Sequence, residues 1–97
     1  MSLVINIYYK GKGDSARKFA EEMEKTGVAD RVRNERGNLS YEYFYPKNDE
    51  TTVLLIDKWT DEKALDIHHK SPMMDEIAVL RKKYSLSMRV ERFTEIK

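Results

Sequence analysis

Polar and apolar positions alternate along four stretches of this chain and repeat at helical spacing along the segments between them. Leu3 to Tyr9 is short, β-branched and aromatic, and Gly11 and Gly13 end it. Such a stretch predicts a strand. Ile5, Ile7 and Tyr9 share one face, and Val4, Asn6 and Tyr8 share the other. Asn6 is the only polar side chain in mid-strand, so the strand is expected to be central and covered on both sides. Next comes a helix with Asp14 or Ser15 as its cap. It buries Ala16, Phe19, Ala20 and Met23 and turns Lys18, Glu21, Glu22 and Lys25 to water. Gly27 stops or bends it, and Val28 and Val32 mark a second helical piece that ends near Gly37.

Asn38 to Tyr45 alternates cleanly, with Leu39, Tyr41, Tyr43 and Tyr45 on one face. Pro46-Lys47-Asn48-Asp49 has the chemistry of a turn. Thr52 to Trp59 alternates again, placing Val53, Leu55, Asp57 and Trp59 together. Two strands joined by a short polar turn predict an antiparallel hairpin. Thr60 and Asp61 open a further helix, which Ser71-Pro72 interrupts and restarts. The restarted helix carries Met73, Ile77, Leu80 and Tyr84 along one face. Leu86 to Phe93 is a fourth strand, with Leu86, Met88 and Val90 on one side.

The order is β-α-β-β-α-β with each helical segment split in two. That is an α+β, ferredoxin-like arrangement with a four-stranded antiparallel sheet and helices on one face. The other sheet face also carries apolar side chains, and pairing with a second copy, face to face, would cover it. The 97 residues are enough for one domain, expected to span 1–97.

Composition narrows the function classes. The chain contains no cysteine, which removes disulfides, thiolate metal sites and cysteine nucleophiles, and fits a cytoplasmic location. Eighteen basic residues balance seventeen acidic ones, and opposite charges sit side by side, as in Asp57-Lys58 and Glu91-Arg92. No basic stripe marks the chain as a nucleic-acid binder. Its apolar runs are far shorter than the roughly 18 residues that a membrane span needs. No His and carboxylate cluster has the spacing of a metal site.

Two segments carry a resemblance. Glu35-Arg36-Gly37-Asn38-Leu39-Ser40-Tyr41-Glu42 and the longer Asp57-Lys58-Trp59-Thr60-Asp61-Glu62-Lys63-Ala64-Leu65-Asp66-Ile67-His68 resemble signature stretches of the antibiotic biosynthesis monooxygenase family. Ser71-Pro72 and a first-strand Asn6 agree with it. The resemblance implies a dimeric α+β barrel, in which two ferredoxin-like sheets pack together. It also implies a cofactor-free monooxygenase that oxidises a quinol or polyphenolic aromatic with O2. Relatives include haem-degrading oxygenases and an isomerase. Where the haem-degrading branch carries Trp and His, this chain has His68 and Ala78, so a haem-degrading role is not expected. Met73-Met74 also stand where the family often has an aromatic pair.

His68 is the leading candidate for a general base. It follows Leu65 and Ala64 at helical spacing, and imidazole titrates near neutral pH. The alternative is a histidine satisfied within the fold. Asn6 is the candidate oxyanion donor, expected on the helix-facing side near His68, or else a structural amide. Trp59 and Tyr43 are candidates for binding an aromatic substrate, against a purely structural role for each. His69, one step round the helix, is read as surface. Two other functions compete. One is an isomerase on a small carbonyl compound, with Arg89 and Arg92 as candidates for meeting a phosphate. The other is a non-catalytic dimeric small-molecule-binding module.

Overall fold

The computed structural model describes residues 2–96. Strand β1 (Leu3–Lys10) leads to helices α1 (Ser15–Lys25) and α2 (Val28–Arg33). The hairpin of β2 (Asn38–Phe44) and β3 (Thr52–Trp59) follows. Helices α3 (Glu62–His69) and α4 (Met73–Lys83) and strand β4 (Ser87–Thr94) complete the order. The expected βαββαβ order is therefore present, with both helical segments divided. The sheet order is β2-β3-β1-β4, and every neighbouring pair runs antiparallel. β1 is central, as its two apolar faces require.

The breaks have local causes. Gly27 has φ 84°, a left-handed conformation that glycine adopts without strain, and it separates α1 from α2. Asp61 caps α3, where its carboxylate accepts the Ala64 N–H at 2.9 Å. The Ser71 side chain does not cap α4, and its hydroxyl has no hydrogen-bond partner among the described residues. The backbone uses Ser71 as a turn instead: its N–H donates to the His68 carbonyl at 3.0 Å and its carbonyl accepts the Met74 N–H at 3.1 Å. Asp14 precedes α1 without a capping side-chain hydrogen bond, though its carboxylate pairs with Lys18 of the helix at 3.6 Å.

Helical packing is concentrated over β1, β2 and β3. α1 lies against β1 and β3, α2 against β2, and α3 against β3, while α4 packs on the other helices. Phe19, Met23, Val32, Val53, Leu55, Trp59 and Leu65 are fully enclosed between the layers. On the sheet, Ile5, Tyr9, Tyr41, Val53, Leu55 and Trp59 point inward. Strand alternation sends Val4, Asn6, Tyr8, Leu54, Ile56 and Phe93 to the opposite face, which no helix covers. β4 is an edge strand, and even its inward side chains Met88 and Val90 are 50% and 52% exposed. The helical layer is narrower than the sheet, and the shortfall lies over β4.

Candidate active site

Two neighbouring features gather buried or cleft-lining polar side chains. The first is a buried polar cluster where α3 meets the end of β3. His68 ends α3 on its inward side and is 4% exposed. Its Nδ1–H donates to the Glu35 carboxylate at 2.5 Å, and its ring stacks on Trp59 with centroids 4.7 Å apart. Asp57, two residues before Trp59 on the same strand face, is buried too. The Asn38 amide donates to it at 3.2 Å. Burial pushes the Asp57 carboxyl up to about 6, against the opposing pull of the Trp59 indole, the His68 charge and the Asn38 amide. The buried Trp59 N–H closes no hydrogen bond of proper geometry. It therefore lowers the cost of the Asp57 charge by proximity alone.

β2 brings Asn38 into this cluster through a bulge: Asn38 pairs with Trp59 and Ser40 with Lys58, leaving Leu39 over. Leu39 is consequently exposed and leaves the inward stripe on which alternation placed it. Gly37, just before, has φ 88° and lies against α3. A Cβ there would sit 2.5 Å from that of Ala64. Its carbonyl accepts the Thr60 N–H at 2.8 Å, which ties the start of β2 to the start of α3.

The second feature is a cleft of about 280 Å³ over the part of the sheet that the helices leave bare. Its floor is Ile5, Ile7 and Tyr9 of β1. Leu65, Met74, Ile77 and Ala78 of the α3–α4 pair form one wall, and Met88 and Val90 of β4 the other. Three basic side chains line it: His69, Arg81 and Arg92. Partial burial, with the charge of His68 adding to it, lowers the His69 pKa below its ordinary value. Neutral imidazole is thus favoured at neutral pH. Tyr9 is pushed up to about 12 by burial, with the Arg81 charge acting the other way, so its phenol stays protonated.

The residues singled out in the sequence divide between separate places. His68 and Trp59 come together, but against each other and Glu35, and neither lines the cleft. Asn6 does not approach His68. It faces away from the helices, because it alternates with the inward Ile5 and Ile7 and pairs with Ile56 and Glu91 on the open face. Its buried Oδ1 has no partner among the described residues. Tyr43 lies toward the far edge of the sheet, under α1. There its ring meets Phe19 edge-on and its hydroxyl lies 3.2 Å from that of Tyr41. Arg89 and Arg92 take opposite faces of β4. Arg89 covers Tyr8 on the open face, while Arg92 on the cleft side pairs with Glu62 at 2.8 Å. They do not form a phosphate site together.

Tyr9 and Arg81 line the cleft without having been singled out in the sequence, whereas His69, read there as surface, is exposed and also borders it. Helical spacing did signal Arg81, which lies three and four residues after Ala78 and Ile77 and so on the same wall. Among the described residues, no group of three or more His, Asp and Glu side chains is placed to hold a metal ion.

Comparison with known proteins agrees with this architecture. The Methanosarcina mazei Go1 conserved protein superposes with a TM-score of 0.84 at 15% identity, covering 99% of this chain and 94% of that one. SnoaB, a cofactor-independent oxygenase from Streptomyces nogalater, superposes with a TM-score of 0.81 at 14% identity, covering 99% and 94%. At those identities the likeness is one of fold. In sequence, 69 residues are 29% identical to the Bacillus subtilis (strain 168) protein named "Putative monooxygenase YcnE", over 71% of this chain and 70% of that protein. The model of the family described as antibiotic biosynthesis monooxygenase matches residues 2–79, from the first strand through the cleft wall on α4. With that match over most of its length and a sheet and helical layer of the same build, this chain belongs to the antibiotic biosynthesis monooxygenase family.

Proposed function

We propose that the cleft between the α3–α4 pair and strands β1 and β4 is the active site of a monooxygenase acting on an electron-rich hydroxylated aromatic. The observation that carries this is an imidazole favoured in its neutral form at the mouth of an apolar cleft, in a domain of this family. His69 takes the hydroxyl proton of the substrate. The resulting phenolate is itself a reductant and passes an electron to O2. Radical recombination forms a C–O bond, and loss of water leaves a quinone. For a phenol with a free ring C–H, one oxygen atom enters the ring as the second carbonyl. The other leaves as water with two substrate hydrogens. The substrate supplies all four electrons, so no further reductant is required. The name of SnoaB, a cofactor-independent oxygenase, supports the same economy. The apolar walls position the ring beside O2 and limit water around the intermediates.

His68, the leading candidate for the base from sequence, takes a different part in this reading. Enclosed and bonded to Glu35, with its ring centroid 5.7 Å from that of His69, it positions the end of α3. The open face of the sheet, with Val4, Tyr8, Leu54, Ile56 and Phe93, packs against a second copy. Asn6, with its unpartnered oxygen, would lie in that interface.

O2 uptake with a panel of hydroquinones and naphthols tests the reading. His69→Ala is expected to lower the rate by about 10²–10⁴-fold, the usual contribution of a positioned base. No uptake across the panel would refute it. A rate lost in His68→Ala but kept in His69→Ala would move the base to the enclosed ring. Turnover of a carbonyl substrate without oxygen would favour an isomerase instead.

A further inference from the structure

We propose that Arg81 anchors a carboxylate on the substrate, so that the cleft selects acidic hydroxylated aromatics over neutral ones. This rests on the cleft being the active site and adds the class of molecule that fills it.

Charge inside the cleft is unbalanced. Its lining contains two guanidinium groups and no Asp or Glu. Arg92 is already neutralised at the rim by Glu62, at 2.8 Å. Arg81 is half-buried and, among the described residues, makes no ion pair and no side-chain hydrogen bond. Two arginines of the helical layer are tied to carboxylates, Arg31 to Glu76 at 2.6 Å and Arg33 to Glu24 and Asp30 at 2.6 and 2.8 Å, and Arg17 reaches the Pro46 carbonyl at 3.4 Å and covers the Tyr45 ring. A partly desolvated guanidinium without a partner is costly, and a bound anion would relieve that cost.

Its surroundings indicate which anion. Arg81 belongs to the wall that carries Ile77 and Ala78, and it lies near enough to Tyr9 on the floor for its charge to act on that phenol. The planar fork of a guanidinium matches the two oxygens of a carboxylate. One free positive charge balances one negative charge. A phosphate dianion would carry excess charge into an apolar cleft, and Arg89 faces the opposite side of the sheet. The small volume leaves room for roughly one or two rings beside the carboxylate. With Arg81 on α4 holding the carboxylate and His69 on α3 at the mouth, the hydroxyl-bearing edge of the ring is directed to the base.

Matched ligands isolate the carboxylate. Binding of 2,5-dihydroxybenzoate, its methyl ester and 2,5-dihydroxyphenyl phosphate is measured by calorimetry without oxygen, on the full chain. The acid is expected to bind about tenfold or more tighter than the ester, the usual strength of a charge-assisted hydrogen bond. Arg81→Gln should bring acid and ester within about twofold of each other, with an unchanged circular dichroism spectrum reporting an intact fold. Arg81→Lys should keep part of the preference, and Arg92→Gln nearly all of it. Equal binding of acid and ester, an acid preference that survives Arg81→Gln, or tighter binding of the phosphate would each overturn the proposal. These outcomes are separate from those of oxygen uptake. Arg81-dependent acid binding with no uptake removes the monooxygenase and leaves the anchor. Uptake with neutral quinols and no acid preference removes the anchor and leaves the monooxygenase.

Discussion

Replacing Asp57 with asparagine removes one buried ionisation from the cluster beneath α3. The Asp57 carboxyl is raised from 3.8 to about 6, chiefly by burial. A carboxyl whose folded pKa lies above its unfolded value holds its proton more tightly in the folded state. Its contribution is therefore greatest at low pH, falls as pH rises from about 4 to 6, and is flat above that. At ~1.36 kcal/mol per pH unit, the rise corresponds to about 3 kcal/mol of destabilisation once the group is ionised in both states. About 2.5 kcal/mol of it develops between pH 4 and pH 7.5, because the unfolded carboxyl is already partly ionised at pH 4. Exposure of 4% leaves little solvent screening to reduce the figure. The amide of Asp57→Asn still accepts from Asn38, but its own N–H groups bring a fixed cost if they find no acceptor. That cost does not depend on pH, so the slope is the diagnostic quantity. Urea unfolding of both proteins at half-unit steps from pH 4 to 7.5 measures it. The stability of Asp57→Asn relative to the parent should rise by about 2.5 kcal/mol across the range. A difference that stays constant, or falls, with pH would refute the argument that Asp57 is held at a cost by burial.

Gly37→Ala should destabilise by about 2 kcal/mol or more in thermal or urea unfolding, because it adds left-handed backbone strain to a Cβ contact of 2.5 Å with Ala64. Gly27→Ala, at φ 84° with open space around it, carries only the strain and should cost about 1 kcal/mol. Trp59→Ala removes a fully enclosed side chain and the surface on which His68 stacks, and should cost about 3–5 kcal/mol by calorimetric Tm. With His69 as the proposed base, which must be neutral to accept a proton and whose pKa is lowered, the acid limb of the kcat/KM profile should fall below the ordinary imidazole value of 6.5. Ile56→Asp on the open sheet face should halve the solution mass in light scattering, whereas Val79→Asp, on an exposed helix face, should not change it.

The elements were legible because each has one strong period. Alternation through Thr52–Trp59 puts every second residue into the core without exception, and the spacing of Ala16, Phe19, Ala20 and Met23 describes the whole buried face of α1. The same alternation failed at Leu39, where a single-residue bulge shifts the phase and a strand pattern gives no warning of it. Asn6 was assigned to its correct set, with Val4 and Tyr8, but set against His68 across the wrong face. Two apolar faces in one strand do not reveal which of them the helices cover. For the histidines, Leu65 and Ala64 indicated correctly that His68 turns inward. Inward proved to mean enclosed, against Trp59 and Glu35, while the side chain that lines the cleft is one residue further round the helix. The cleft itself has no sequence signature. It arises from a mismatch in width between a four-stranded sheet and the helices above it, which only packing reveals.

That mismatch separates two burdens within a chain of 97 residues. Most of the side chains that hold the layers together, Phe19, Met23, Val32, Val53, Leu55 and Trp59, lie outside the cleft, and Leu65 is the one fully enclosed side chain among the described residues that also borders it. The rims of the cleft on α4 and β4 are built largely from partly solvated side chains such as Met74, Ala78, Met88 and Val90. Substitutions at those rims forfeit little buried surface, so they draw lightly on a small margin of stability. A descendant of this chain can therefore reshape the cleft along β4 and α4 while the same core continues to fold beside it.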